Sequence, residues 1–200
     1  VADFSIDTKG GLVNLVDRVK NILLSPQTEW PKIAGETATV QSLYVGYILV
    51  LAAIAPLSLL IRTGGVAIAA AVAHYAIALV ITYLMALIVD TLAPTFNGTK
   101  DYTQSLKLVA YSYTAPWVAG IFLLLGGTIG GLIGLIAAIY AWYTFYLGVP
   151  VLKKCPPEKA VAYTIVVVLC GIVLAIVLGG VLMSAMFGGA MTGAGFGIMR

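Results

Sequence analysis

The sequence predicts an all-α polytopic membrane protein: a bundle of five transmembrane helices preceded by an amphipathic helix in the cytoplasmic interface. Three observations carry that expectation. Of the 200 residues, 61% are hydrophobic and 10% charged, whereas soluble domains hold about a quarter charged residues. Five stretches, roughly 40–61, 66–92, 106–125, 128–149 and 160–187, are each long enough for the ~20 apolar residues that cross a bilayer core. They are continuously apolar rather than alternating, which favours helices over a barrel.

Residues 1–38 form an N-terminal cytoplasmic segment, 39–187 the transmembrane domain, and 188–200 a flexible glycine-rich tail. No cleavable signal is expected, because VADFSIDTKG contains no apolar run. In GLVNLVDRVKNILL (11–24), Leu12, Leu15, Val16, Val19, Ile22 and Leu23 share one helical face, and Asn14, Asp17, Lys20 and Asn21 the other. Such a helix is short for a span and suits the membrane interface, although docking on a protein face uses the same pattern. Ser25-Pro26 then starts a second short helix, since proline at the first helical position gives up only an unpaired donor. Trp30 suits the headgroup level and Lys32 an anionic leaflet.

The first span carries Tyr44, Tyr47 and Pro56, and the second carries His74 and ends at Asp90. His74 is read as a hydrogen-bonded packing residue, with a proton relay as the sharper alternative. Asp90 lies where a negative charge opposes the helix dipole, so a cation should compensate it. Lys107, at the start of the third span, is the expected partner, and the two form a structural pair.

Within the third span, KLVAYSYTAPWVAG (107–120) places Tyr111, Ser112, Thr114 and Pro116 in an apolar run. Pro116 lacks an N–H and crowds the carbonyl of Ser112, and the hydroxyls of Ser112 and Thr114 can bond the loosened backbone. The segment is therefore a kink that helps helices pack, or a broken helix lining a transport path together with His74. Gly126, Gly130 and Gly134, with Gly127 and Gly131, recur every four residues and predict close helix packing, within the chain or between copies. YAWYTFY (140–146) reads as an aromatic belt at the headgroups.

With the N-terminus inside, Lys9, Arg18, Lys20, Lys32, Lys100, Lys107, Lys153, Lys154 and Lys159 fall on the cytoplasmic side, and only Arg62 and Arg200 outside. That asymmetry sets the orientation and accounts for the net charge of +3 without nucleic acid. Cys155 and Cys170 match no metal or redox spacing and read as a loop thiol and a small packing residue. A lone His and the absence of HExxH, GxSxG, phosphate-cradling loops or paired carboxylates within a span argue against an enzyme, a metal site or a cofactor.

SPQTEWPKI, AYSYTAPWVAG and YLGVPVLKKCPPEKA together resemble the Ypt/Rab-interacting protein (YIP) family, in its bacterial branch of small five-pass inner-membrane proteins. The likeness runs from about Leu24 to Tyr163, with Pro26, Trp30, Tyr111, Pro116, Gly148 and Pro150 as structural markers. It implies class and topology. Small-GTPase binding is not carried over, because the long N-terminal region with an acidic-aromatic Leu-Tyr-Gly-Pro element is missing here. The expected role is a non-enzymatic interaction, scaffold or accessory component of the bacterial inner membrane, contacting lipids and either other membrane proteins or further copies of itself. The alternative is a small transporter or channel with its path near the third span.

Overall fold

The computed structural model describes the backbone of residues 8–195 and the side chains of residues 15–181. A helix over Thr8–Leu24 and a short one over Pro26–Gly35 precede five long helices. The first four cover Val40–Arg62, Ile68–Phe96, Tyr102–Leu125 and Gly127–Leu152, and the fifth runs from Pro157 to Gly195. All five are long and apolar enough to cross a membrane. The fifth helix continues past Phe187, where the sequence suggests that a tail begins; residues 196–200 lie outside the described part.

The third span is the hub. Half of its apolar window is buried, against a third or less in the others, and it packs on the first, second and fourth spans, while the fifth lies on the second and fourth. Close approach to the first span depends on Gly120. A Cβ there would fall 2.6 Å from the Ala55 Cβ and 2.9 Å from the Ala55 Cα, so backbone, not a pliable side-chain tip, would have to yield. Gly120→Ala is expected to destabilise the protein by about 1–3 kcal/mol, read as a lower midpoint when the detergent-solubilised protein is unfolded with SDS.

The predicted glycine stripe divides in the fold. Gly130 packs against Phe122 O and Leu123, and Gly126 turns the chain with φ of +112°, a conformation other residues rarely adopt. Gly131 and Gly134, by contrast, have nothing within 4 Å of a built Cβ, and the nearest atom to one on Gly127 is an Arg62 nitrogen at 3.9 Å. Close packing within the chain therefore accounts for Gly130 and turn conformation for Gly126, while Gly127, Gly131 and Gly134 have no close intrachain contact among the described residues. The four-residue period makes a stripe, but only Gly130 in it approaches another part of the chain closely among the described residues.

Interhelical polar contacts are made largely by tyrosines. Tyr44 Oη donates to Leu79 O at 3.1 Å, Tyr75 Oη to Leu49 O at 3.0 Å, and Tyr140 Oη to Leu23 O at 2.7 Å. Tyr163 Oη donates to Val89 O. A hydroxyl in a bilayer lacks water, so a neighbouring helix carbonyl is the available acceptor. The aromatic run at 140–146 is consequently split: Trp142, Tyr143 and Tyr146 face outward, but Phe145 is buried and Tyr140 ties the fourth span to the N-terminal helix.

Candidate functional site

Charged side chains collect at the end of the bundle that carries Lys100, Lys107, Lys153 and Lys154, in two linked clusters. The first surrounds Asp90. Its Oδ1 accepts from Lys153 Nζ at 3.1 Å, from Ser105 Oγ at 3.1 Å and from the Asp101 backbone N–H at 2.7 Å. Lys153 is fully buried and Asp90 is 5% exposed. Lys153 Nζ also donates to Ser105 Oγ and to Asp101 O, while its own carbonyl receives the Thr99 N–H. Burial pushes the Lys153 pKa down, and Asp90 and Asp101 oppose that shift. The cluster ties together the end of the second span, the start of the third and the end of the fourth.

Lys107 takes no part in it, which corrects the expected Asp90–Lys107 pair. The Lys107 ammonium turns the other way and donates to Ile33 O at 2.9 Å and Glu36 O, capping the carbonyls at the end of the short helix. Helix geometry separates the two lysine roles: Ser105, two residues before Lys107, is the residue of that turn that reaches Asp90. Nearby, Cys155 is the expected loop thiol, and it is buried. It donates to Phe96 O at 3.1 Å, and burial raises its pKa.

Arg18 organises the second cluster. From the N-terminal helix it pairs with Glu29 and Glu36, and Glu29 also takes Lys32 at 3.0 Å. Burial opposes the charge on Arg18, but the hydrogen bond and proximity of Glu36 outweigh it and raise its pKa. Its guanidinium carbon lies 5.7 Å from the centroid of the Tyr111 ring, within range of a cation–π contact. Tyr111 meets Tyr47 edge-on at 4.6 Å and Trp30 at 6.4 Å. Trp30, fully buried, donates from Nε1 to Thr144 O at 3.0 Å. The N-terminal helix thus docks on protein, with Ile22 fully buried and Leu15, Val19 and Leu23 packed on the core, while Val16 stays 63% exposed.

The third-span motif resolves into a helix interrupted at Tyr113 and resumed at Thr114. Thr114 Oγ1 donates to Tyr111 O at 2.7 Å and shares a 2.6 Å bond with Tyr47 Oη. Thr114 thus bonds the carbonyl of Tyr111, one residue before the carbonyl that Pro116 crowds. Ser112 makes no such bond: its Oγ is buried with no partner and borders a cavity of about 30 Å³ formed with Met85, Tyr113, Phe145 and Val167. His74 lies apart from this group, on an exposed stretch of the second span and without a hydrogen bond among the described residues. The structure brings Tyr111 and Thr114 together, and among the described residues His74 shares neither a hydrogen bond nor the Ser112 cavity with them.

Arg18, Glu29, Glu36 and Lys153 were the residues hidden from the sequence. Two carboxylates in the short segment after an Arg-bearing amphipathic helix were the available signal, since ion pairs across a helical hairpin need that opposition of charge.

These features define a polytopic helical membrane protein whose polar groups are concentrated in a folded cap at one end of the spans. The family model of the Yip1 domain matches residues 20–194, and the chain belongs to that family. Comparison with curated proteins gives no match, and comparison with solved structures gives none.

Proposed function

We propose that the protein is a non-enzymatic organising component of the bacterial inner membrane, with its N-terminus and basic cap in the cytoplasm, where the cap docks other proteins. The observation that carries this reading is how the polar residues are used: Arg18, Glu29, Glu36, Asp90, Lys107 and Lys153 hold the cap onto the spans. Lysine-rich ends favour the cytoplasmic side. On the cap's surface, Lys100 and Lys154 flank a recess of about 320 Å³ and make no ion pair among the described residues, which suits an acidic partner surface. Isolation of the tagged protein in native lipid discs, followed by mass spectrometry, tests this. A stoichiometric partner that is lost in a Lys100→Glu, Lys154→Glu variant is expected; a chain recovered alone, or a partner indifferent to that change, refutes the reading.

The third-span motif favours packing over transport for a physical reason. The cavity at Ser112 is about 30 Å³, room for about two water molecules and not for a continuous column of them. Cysteines placed at Ser112 and Thr114 are expected to stay unmodified by a membrane-impermeant maleimide in intact discs and to react after SDS denaturation. Rapid labelling of either in the native protein would instead support a water-filled path through the spans.

A further inference from the structure

Two adjoining recesses differ in polarity: one lies between the N-terminal helix and the first span, the other along the start of the first span. The inner one, about 240 Å³, is bordered by Arg18, Glu36, Thr37, Tyr47 and Tyr111. The outer one, about 510 Å³, is bordered by Thr39, Gln41, Ser42, Val45 and Gly46, and both recesses include Ser42 and Gly46. Val45 and Val50, 60% and 46% exposed, mark the face of the first span that looks out to the bilayer. A polar pocket that adjoins a groove running from Thr39 and Gln41 to the exposed, apolar Val45 has the form of an amphiphile. We propose that this groove holds one phospholipid whose headgroup carries both a phosphate and a primary ammonium, with an acyl chain leaving over Gly46 and Val45.

Three further features converge on it. Gly46 sits within the π-helical turn Tyr44–Ile48 and has nothing within 4 Å of a built Cβ. Among the described residues, none fills the space that a side chain at Gly46 would take. Such π turns recur where a helix serves a site. Next, the Tyr111 hydroxyl bonds to nothing among the described residues, whereas Tyr44, Tyr75, Tyr140 and Tyr163 each donate to a carbonyl and Tyr47 bonds Thr114. Tyr111 is 8% exposed and borders the inner recess.

The third feature is charge. Arg18 uses one N–H of each terminal nitrogen on Glu29 and Glu36 and has five in all, so donors remain for a phosphate. Glu36, 42% exposed at its side chain, keeps its second oxygen for an ammonium. Lys107 is engaged with the carbonyls of Ile33 and Glu36, and Lys32 with Glu29. The ionised groups facing the recess therefore nearly cancel. A purely anionic headgroup would meet Glu36 and Glu29 unfavourably, and a quaternary ammonium would offer Glu36 no N–H. A zwitterion with a primary ammonium satisfies both sides.

The test is native mass spectrometry of the full protein ejected from discs made with equal parts phosphatidylethanolamine, phosphatidylglycerol and phosphatidylcholine. Wild-type protein is expected to retain one phosphatidylethanolamine in about tenfold excess over either competitor, a fold-change well within the range of a few polar contacts. Gly46→Leu fills the groove and abolishes the excess, and Tyr111→Phe, which removes one hydroxyl at constant ring volume, reduces it severalfold. Gly134→Leu, on the outward face of the fourth span, leaves it unchanged. Equal retention of the three lipids, preference for phosphatidylglycerol, or wild-type retention in both Gly46→Leu and Tyr111→Phe would overturn the proposal. Thermal unfolding of each variant verifies that the fold is intact, and Tyr111→Phe stands as the test if Gly46→Leu does not fold.

Discussion

Asp90→Ala is expected to lower the unfolding free energy by about 3–5 kcal/mol, because it strands the buried Lys153 ammonium with two neutral acceptors and no ion-pair partner. Lys153 is fully buried, and Asp90 Oδ1 is its sole ion-pair partner among the described residues. The reciprocal change, Lys153→Met, costs less. It replaces a buried charge with an apolar chain of similar length and leaves Asp90 with the Asp101 N–H and the Ser105 hydroxyl. The double variant Asp90→Ala, Lys153→Met should recover part of the loss, with an interaction of about 1–3 kcal/mol in a double-mutant cycle. Asp90→Ala and Lys107→Met should simply add. SDS-titration unfolding of the wild type, the three single variants and both double variants in one detergent decides between the two lysines, and coupling to Lys107 with none to Lys153 would refute the assignment.

That contrast shows where the sequence is informative. The spans are visible because a bilayer imposes a length of about 20 apolar residues, whatever the neighbours. Their adjacency is not visible: to lipid, every apolar face is alike, and which faces meet depends on small features such as Gly120 against Ala55. Asp90's need for a cation is equally readable, since a carboxylate at a helix C-terminus opposes the dipole. The identity of the cation is not, because proximity in sequence favours Lys107 while the return of the fourth span delivers Lys153 from the far side.

The third-span motif was legible in its backbone consequences and illegible in its surroundings. Pro116 dictates an interruption, and Thr114 bonds the Tyr111 carbonyl beside it. What Tyr111 faces depends on Arg18, which lies on a helix far away in sequence and looks there like a solvated charge. His74 is the reverse case. An ionisable residue within a span attracts attention on chemical grounds, yet in the fold it joins no polar cluster among the described residues.

The second large effect is expected where the cap meets the fourth span. Trp30 is fully buried, and a Cβ built on Gly148 would come within 2.7 Å of its ring and 2.5 Å of Leu108 Cδ1. Trp30→Ala removes the ring, its edge contact with Tyr111 and the bond to Thr144 O, and should cost about 3–5 kcal/mol. Gly148→Ala meets the same ring from the other side. Leu108 can rotate its methyl away, but an indole pinned by its own hydrogen bond cannot, so the cap must shift at a cost of about 1–3 kcal/mol. Because both changes act on one contact, the double variant should be less destabilised than the sum: loss of the indole vacates the space that a methyl added at Gly148 needs. Strict additivity would mean that the cap does not seat on Gly148. Sub-additivity would establish that a glycine inside a span and a tryptophan outside it form a single joint, and that the joint fixes the N-terminal helix and Arg18 over Tyr111.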